Sequence, residues 1–273
     1  MLFYGTVPEL IDLLAGRRDD LELDRAALQL ATIEFPGLEP DPYLRILDDY
    51  SSAIADRADN LDDGREFVRA ANSFLFGEIG LRGNTADYYN PHNSCLNRVL
   101  ADRVGIPITL SLVYIEVARR LAKPIRGIGL PSHFIVKYED SEYSAFIDPF
   151  HGGALLTETD CYELAQMTTP DPRVLAPVGK GQILTRMTNN LRGIYFSRQA
   201  YGKAVQVLDL LIGANPDSAD EYKQRGMVHL HNREMLAAKA DLQRYLDLAP
   251  GASDREEIEG QLVSITRWLA MMN

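Results

Sequence analysis

The sequence predicts an α+β domain followed by an all-α repeat unit, and three observations carry that prediction. A layer of amphipathic helical segments opens the chain. One long apolar helix and a run of short alternating segments come next, and the last third repeats itself at a period of 34 residues.

Taken in order, "VPELIDLLAG", "DLELDRAALQLATIEF" and "PYLRILDDYSSAIADRA" place apolar residues three and four apart, with Gly or Pro as punctuation. These segments are expected to form a helical layer packed on the succeeding helix and strands. In "NPHNSCLNRVLADRVG", Asn93 or Ser94 is placed to cap a short helix, with Cys95 in its first turn and Gly105 at its end. "TLSLVYIEVARRLA" is the clearest helix of this half, because Leu110, Val113, Tyr114, Val117 and Leu121 share one face. Strands are expected near 125–130, 133–138 and 144–148.

Residues 168–182, "TTPDPRVLAPVGKGQ", combine three prolines, two glycines and little periodicity, and read as a connector between a first domain, 1–167, and a second, 183–273. The "GKG" there lacks the spacing and the preceding strand of a phosphate loop. Sliding the remainder by 34 residues superposes Ala204 on Ala238, Leu208 on Leu242, Ile212 on Leu246 and Pro216 on Pro250. Thirty-four residues is the tetratricopeptide period. Leu191, Tyr195, Ala204 and Pro216 fit that pattern in the first repeat, and Tyr222, Gly226, Ala238 and Pro250 in the second. The second departs at Arg225 and His229. Residues 253–272, with Ile258, Leu262, Ile265, Trp268 and Leu269, are expected to cap the last repeat.

Composition narrows the function. The 273 residues are 46% hydrophobic and no apolar run reaches a membrane span. The start, "MLFYGTVPEL", lacks the basic region and long apolar stretch of a signal peptide, so a cytoplasmic location is expected. Cys95 and Cys161 are the only cysteines and neither lies in a Cys-x-x-Cys pair, which removes a disulfide framework and a sequence-local zinc motif. No cofactor is expected. Residues 1–80 hold 17 acidic and 7 basic side chains, and they account for nearly all of the net charge of −11. An acidic chain is repelled by phosphate, so nucleic acid and anionic membrane are not expected partners.

Chemistry concentrates in "GIGLPSHFIVKYEDSEYSAFIDPF", residues 127–150. Phe134, Val136 and Tyr138 alternate with Ile135 and Lys137, and Ala145, Phe146 and Ile147 resume after an acidic turn, which reads as a β-hairpin. If the turn leaves Tyr138 opposite Tyr143, partners sum to 281 and His133 faces Asp148 with Cβ atoms roughly 5 Å apart. An imidazole oriented by a carboxylate is the base of acyl-transfer chemistry. The same pair also serves simply to close a sheet edge. His92, His133, Asp148 and His151 offer metal-ligand residue types without a recognisable spacing.

The ordered segments "NSCLNRVL", "GIPITLSLVYIEVARRL", "PIRGIGLPSHFIVKY" and "FIDPF" resemble the bacterial SirB-type family, from about residue 40 onward. The resemblance implies a transglutaminase-like, papain-like core of helix and antiparallel sheet in the first domain, ahead of the tetratricopeptide unit. In that superfamily a cysteine at the start of the central helix works with a histidine and an aspartate on the strands after it. His133 and Asp148 match the histidine and the aspartate. The cysteine position falls at or within two residues of Pro107, where no cysteine stands. Thr109 and Ser111 are the nearby hydroxyls, and Thr109 is placed to act as an N-cap.

Two functions are compatible with these residues. In the first, the protein is a non-catalytic scaffold that keeps His133 and Asp148 as a remnant pair and binds a protein or peptide through its repeats. In the second, it is a thiol acyl-transfer enzyme, a protease, amidase or transglutaminase, using Cys95, His133 and Asp148. Cys161 is the weaker thiol candidate.

Overall fold

Leu10, Leu13 and Leu14 turn one face of helix α1 (Val7–Leu14) inward, as their spacing requires. The same logic builds α2 (Leu23–Ala31), α3 (Asp41–Ala55) and α4 (Gly64–Asn72), the last capped by the Asp63 carboxylate on the N–H groups of Arg65 and Glu66. The structure, a computed structural model, describes residues 7–18 and 20–272. Residues 1–6, part of the segment that lacks signal-peptide character, lie outside them. The chain forms two units, residues 1–190 and 191–273.

In the first unit a π-helical turn (Ser73–Glu78) leads to β1 (Arg82–Gly83), which pairs in parallel with β2 (Val104–Gly105). Between them lies α5 (Leu96–Asp102). Its N-cap is Cys95 itself, not Asn93 or Ser94, because a 3₁₀ turn over Pro91–Ser94, capped by Asn90, takes up those residues. It ends on Arg103 in the left-handed conformation rather than on Gly105.

Helix α6 (Pro107–Arg120) is buried on nearly every side, as a helix apolar all round must be. It carries the buried Glu116, which meets the equally buried Asp24 of α2 across a shared pair of arginines. Arg120 reaches Asp24 at 2.7 Å and Glu116 at 3.0 Å, and Arg119 reaches Glu116 at 2.8 Å. Burial, then the charge of Asp24, pushes the Glu116 carboxyl up to about 7.

The sheet is antiparallel in the order β3 (Ile125–Ile128), β4 (Ile135–Glu139), β5 (Ser144–Asp148) and β6 (Ala154–Leu156). Strand β6, three residues long after a Gly-Gly turn, is not among the expected strands. The β4–β5 register pairs Tyr138 with Ala145, so partners sum to 283, not 281. Asp140 causes the difference. Its carboxylate accepts from the N–H groups of Glu142 and Tyr143, and its own N–H donates to Tyr143 O, which tightens the turn to two residues.

Helix α7 (Glu158–Leu164) buries Cys161 against Ile128, Leu130, Ile135 and Phe146. The stretch read as a connector holds a 3₁₀ turn (Pro172–Leu175), and Val178 N–H donates to Gly127 O on the sheet. Helix α8 (Lys180–Ser197) then runs without a break through the division between the units. The repeat unit is expected from residue 183 onward. Ile183, Leu184 and Met187 are instead buried within the residues of the first unit.

In the second unit, α9 (Tyr201–Ala214), α10 (Ala219–His231) and α11 (Met235–Leu248) follow, and α12 (Arg255–Met272) closes the chain. Ala204 and Ala238 are fully buried where helices approach closely. Gly226 lies against Leu242 and Asp241, whose atoms a Cβ would meet at 3.0 and 3.1 Å. The departures at Arg225 and His229 have a local cause. Arg225 donates to both oxygens of Asp241 at 2.8 Å and to Asp209 at 2.6 Å, and His229 pairs with Glu234. On α12, Ile258 and Ile265 are buried with Leu262 and Leu269 partly so. Trp268, expected in the packed face, is 41% exposed at its edge. Among the described residues no helix is long and apolar enough to cross a membrane.

Candidate functional site

The turn Leu130-Pro131-Ser132-His133 aims the imidazole. Pro131 sets the second position, Ser132 adopts φ 58°, and His133 N–H closes the turn on Leu130 O at 3.3 Å. Asp148 ends β5 and caps a 3₁₀ turn over Pro149–His151, with Oδ1 accepting from the N–H groups of Phe150 and His151 at 3.0 and 3.3 Å. Its second oxygen is thereby left to the two rings beside it.

His133 Nε2 lies 2.8 Å from Asp148 Oδ2, and His151 Nδ1 lies 2.7 Å from the same oxygen. The two rings stack at 5.7 Å. The expected register would have placed His133 directly opposite Asp148. The observed one makes them diagonal neighbours on the same face, still within side-chain reach. His151 joins Asp148 as a second donor. The sequence signal for it is its position three residues after a capping aspartate, in "DPFH". Burial alone would raise the Asp148 carboxyl, but the hydrogen bonds from His133 and His151 outweigh it and hold the group below its ordinary range.

With Nε2 donating to the carboxylate, Nδ1 of a neutral His133 is an acceptor. It has no hydrogen-bond partner among the described residues. The ring borders a cavity of about 180 Å³ shared with Tyr88, Pro107, Ile108, Arg186 and Asn190. Pro107, which opens α6, lines the same cavity, so the start of α6, at or within two residues of which the resemblance places the nucleophile, borders this space with a pyrrolidine ring.

Neither cysteine lines that cavity. Cys95 is fully buried and its Sγ donates to Pro91 O at 3.3 Å. Cys161 is fully buried, and burial pushes its thiol up to about 11. Thr109 is the third residue of α6 rather than its N-cap: its hydroxyl accepts from Ile106 N–H and lies 2.7 Å from Asn93 O. Ser111 is buried, with its hydroxyl 3.4 Å from Phe134 O. Of the four possible metal ligands, His133, Asp148 and His151 bring one donor atom each within 4.8 Å of one another. His92 instead packs on Phe35, ring centroids 5.2 Å apart.

Residues 41–189 match the family described as the transglutaminase-like superfamily, and residues 191–263 match the tetratricopeptide repeat. The chain belongs to the transglutaminase-like superfamily. Its order, a transglutaminase-like domain followed by tetratricopeptide repeats, is that of the SirB-type family. It is 31% identical over 256 residues to a UPF0162 protein of Xylella fastidiosa, covering 91% of each chain. It is 28% identical over 240 residues to a UPF0162 protein of Pseudomonas aeruginosa, covering 85% of this chain and 87% of the other. F-box only protein 21 of Mus musculus is 31% identical over 179 residues, 61% of this chain and 28% of that protein. Among solved structures, menin superposes with a TM-score of 0.40 at 12% identity, covering 92% of this chain and 73% of menin, a likeness too loose to carry an argument.

Proposed function

We propose that this protein is a non-catalytic member of its superfamily, in which the His133–Asp148 pair serves structure and the tetratricopeptide repeats engage a protein or peptide partner. One observation carries the reading: the cavity that His133 faces has Pro107 at the start of α6 and neither cysteine in its lining. Acyl transfer through a covalent intermediate needs a nucleophile within hydrogen-bond reach of its base, and proline has no group to offer. The burial of Cys95 and the raised Cys161 thiol point the same way.

Thiol reactivity tests it. At neutral pH, iodoacetamide should modify Cys95 only under denaturing conditions, as for a buried structural cysteine. Rapid modification of Cys95 in the folded chain, suppressed by His133→Ala, would restore the thiol-enzyme reading built on Cys95, His133 and Asp148.

A further inference from the structure

Helix α8 presents Gln182, Thr185, Arg186, Asn189 and Asn190 at spacings of three and four, which forms one polar stripe. The stripe lines two cavities that share Arg186 and Asn190. One is the 180 Å³ space over His133, and the other, of about 420 Å³, is bordered by Gln182, Thr185 and Asn189. Asn189 Oδ1 is buried without a hydrogen-bond partner among the described residues, an unmet cost that an amide N–H inserted beside it would remove.

Arg186 is the exceptional charge here. One of its N–H groups donates to His133 O at 2.8 Å and its guanidinium lies over the Phe134 ring at 5.6 Å, yet no carboxylate among the described residues pairs with it. The chain holds 39 acidic residues, so an unpaired arginine lining a cavity is not for want of acids. Ile108, at the start of the 14-residue α6, lines the same space with an N–H that has no intrahelical acceptor. Nine-tenths-buried His133 adds Nδ1, an acceptor with no partner among the described residues.

These groups define a ligand. Arg186 is the one arginine or lysine among the residues lining this space, so a ligand with one negative charge is matched and a dianion is not. A planar guanidinium fork suits a carboxylate. An acceptor beside it calls for an N–H close to that carboxylate, which is the arrangement at the end of a peptide. A space of about 180 Å³ fits one terminal residue, and the second cavity lies along the same helix for the residues before it.

We propose that the first half of α8 is a groove for the carboxyl-terminal residues of a peptide, with Arg186 pairing the terminal carboxylate and His133 Nδ1 accepting the last amide N–H. The inference rests on the proposed function, in which the His133 cavity binds without reacting.

The test uses the full chain and a pool of acetylated tetrapeptides of mixed sequence, prepared with free-acid or amidated ends, alongside N-acetylalanine. Calorimetry and backbone-amide shifts should show the free-acid pool binding at least tenfold more tightly than the amidated pool, with shifts at Ile108, His133 and Arg186. Arg186→Met should remove that preference. Equal binding of the two pools, or none, overturns the proposal on the wild-type chain alone, so the result does not depend on the variant folding. Binding of N-acetylalanine as tight as that of the free-acid pool overturns the groove and leaves a pocket for one acylated amino acid. Mass spectrometry of the recovered peptides separates the two readings: cleaved or joined peptides defeat the non-catalytic reading, whereas intact but unbound peptides defeat this inference alone.

Discussion

At the scale of single residues, Asp148 is the side chain on which the site depends. It is 1% exposed and its Oδ2 is satisfied by two imidazoles. His133→Ala leaves that buried carboxylate with one ring donor and should cost about 1 to 3 kcal/mol. His151→Ala removes a ring that is 55% exposed and should cost less than His133→Ala. Urea denaturation of the two variants checks the order, and equal costs would count against it. Glu116 gives a pH signature of the opposite kind to acid unfolding. Its folded value, about 7, lies above the ordinary carboxylate value, so its contribution is complete below about 4.3 and is lost as pH rises through about 7. Glu116→Gln should flatten the fall in stability between pH 5 and 8 by about 1 to 3 kcal/mol, read as the difference between variant and wild-type unfolding free energies. The proximity of His133 and Asp148 is legible in the sequence despite a register error because a slip of two residues preserves the face of every side chain. The role of His151 and the arginine network around Glu116 are not, since both depend on contacts between elements far apart in sequence or on a capping turn whose geometry the periodicity does not encode.

At the scale of elements, several helices end without the glycine that sequence reading relies on. Ala122, Gln166, Gln199 and Arg233 adopt φ between 54° and 62°. Around each, two backbone bonds close the helix in the same way. After α6, for example, Ala122 N–H donates to Arg119 O and Lys123 N–H to Ala118 O. This is the Schellman arrangement, in which glycine is preferred because a Cβ is strained at positive φ. Replacing Ala122, Gln166 and Gln199 singly by glycine should therefore raise stability by roughly 0.5 to 1 kcal/mol each, against the usual cost of glycine in a helix. Chemical denaturation midpoints check this, and a loss at all three would contradict it. The same feature explains why these helix ends are not legible in the sequence. Asp63 and Thr157 announce caps by residue type, whereas the left-handed residues that stop these helices are ordinary ones.

At the scale of the whole molecule, the order of a mixed α+β unit before an all-α one is legible because a 34-residue repeat and a long apolar helix are signals that span many residues. The point of division is not. Prolines and glycines at 168–182 draw the eye, but α8 is continuous across 190/191 and offers no break to read. The placement of Pro107 has a last consequence, which concerns reversibility. The first residue of α6 and the imidazole held by Asp148 line one cavity, so a single substitution would bring a thiol to that space. Pro107→Cys would set a thiol at a helix N-terminus facing His133, where the dipole and the ring both favour the thiolate. Such a chain should be alkylated at residue 107 at pH 7 while Cys95 and Cys161 stay protected, and His133→Ala in that background should slow the reaction. If so, a single codon separates the present lining of this cavity from one that carries a reactive thiol beside an oriented imidazole.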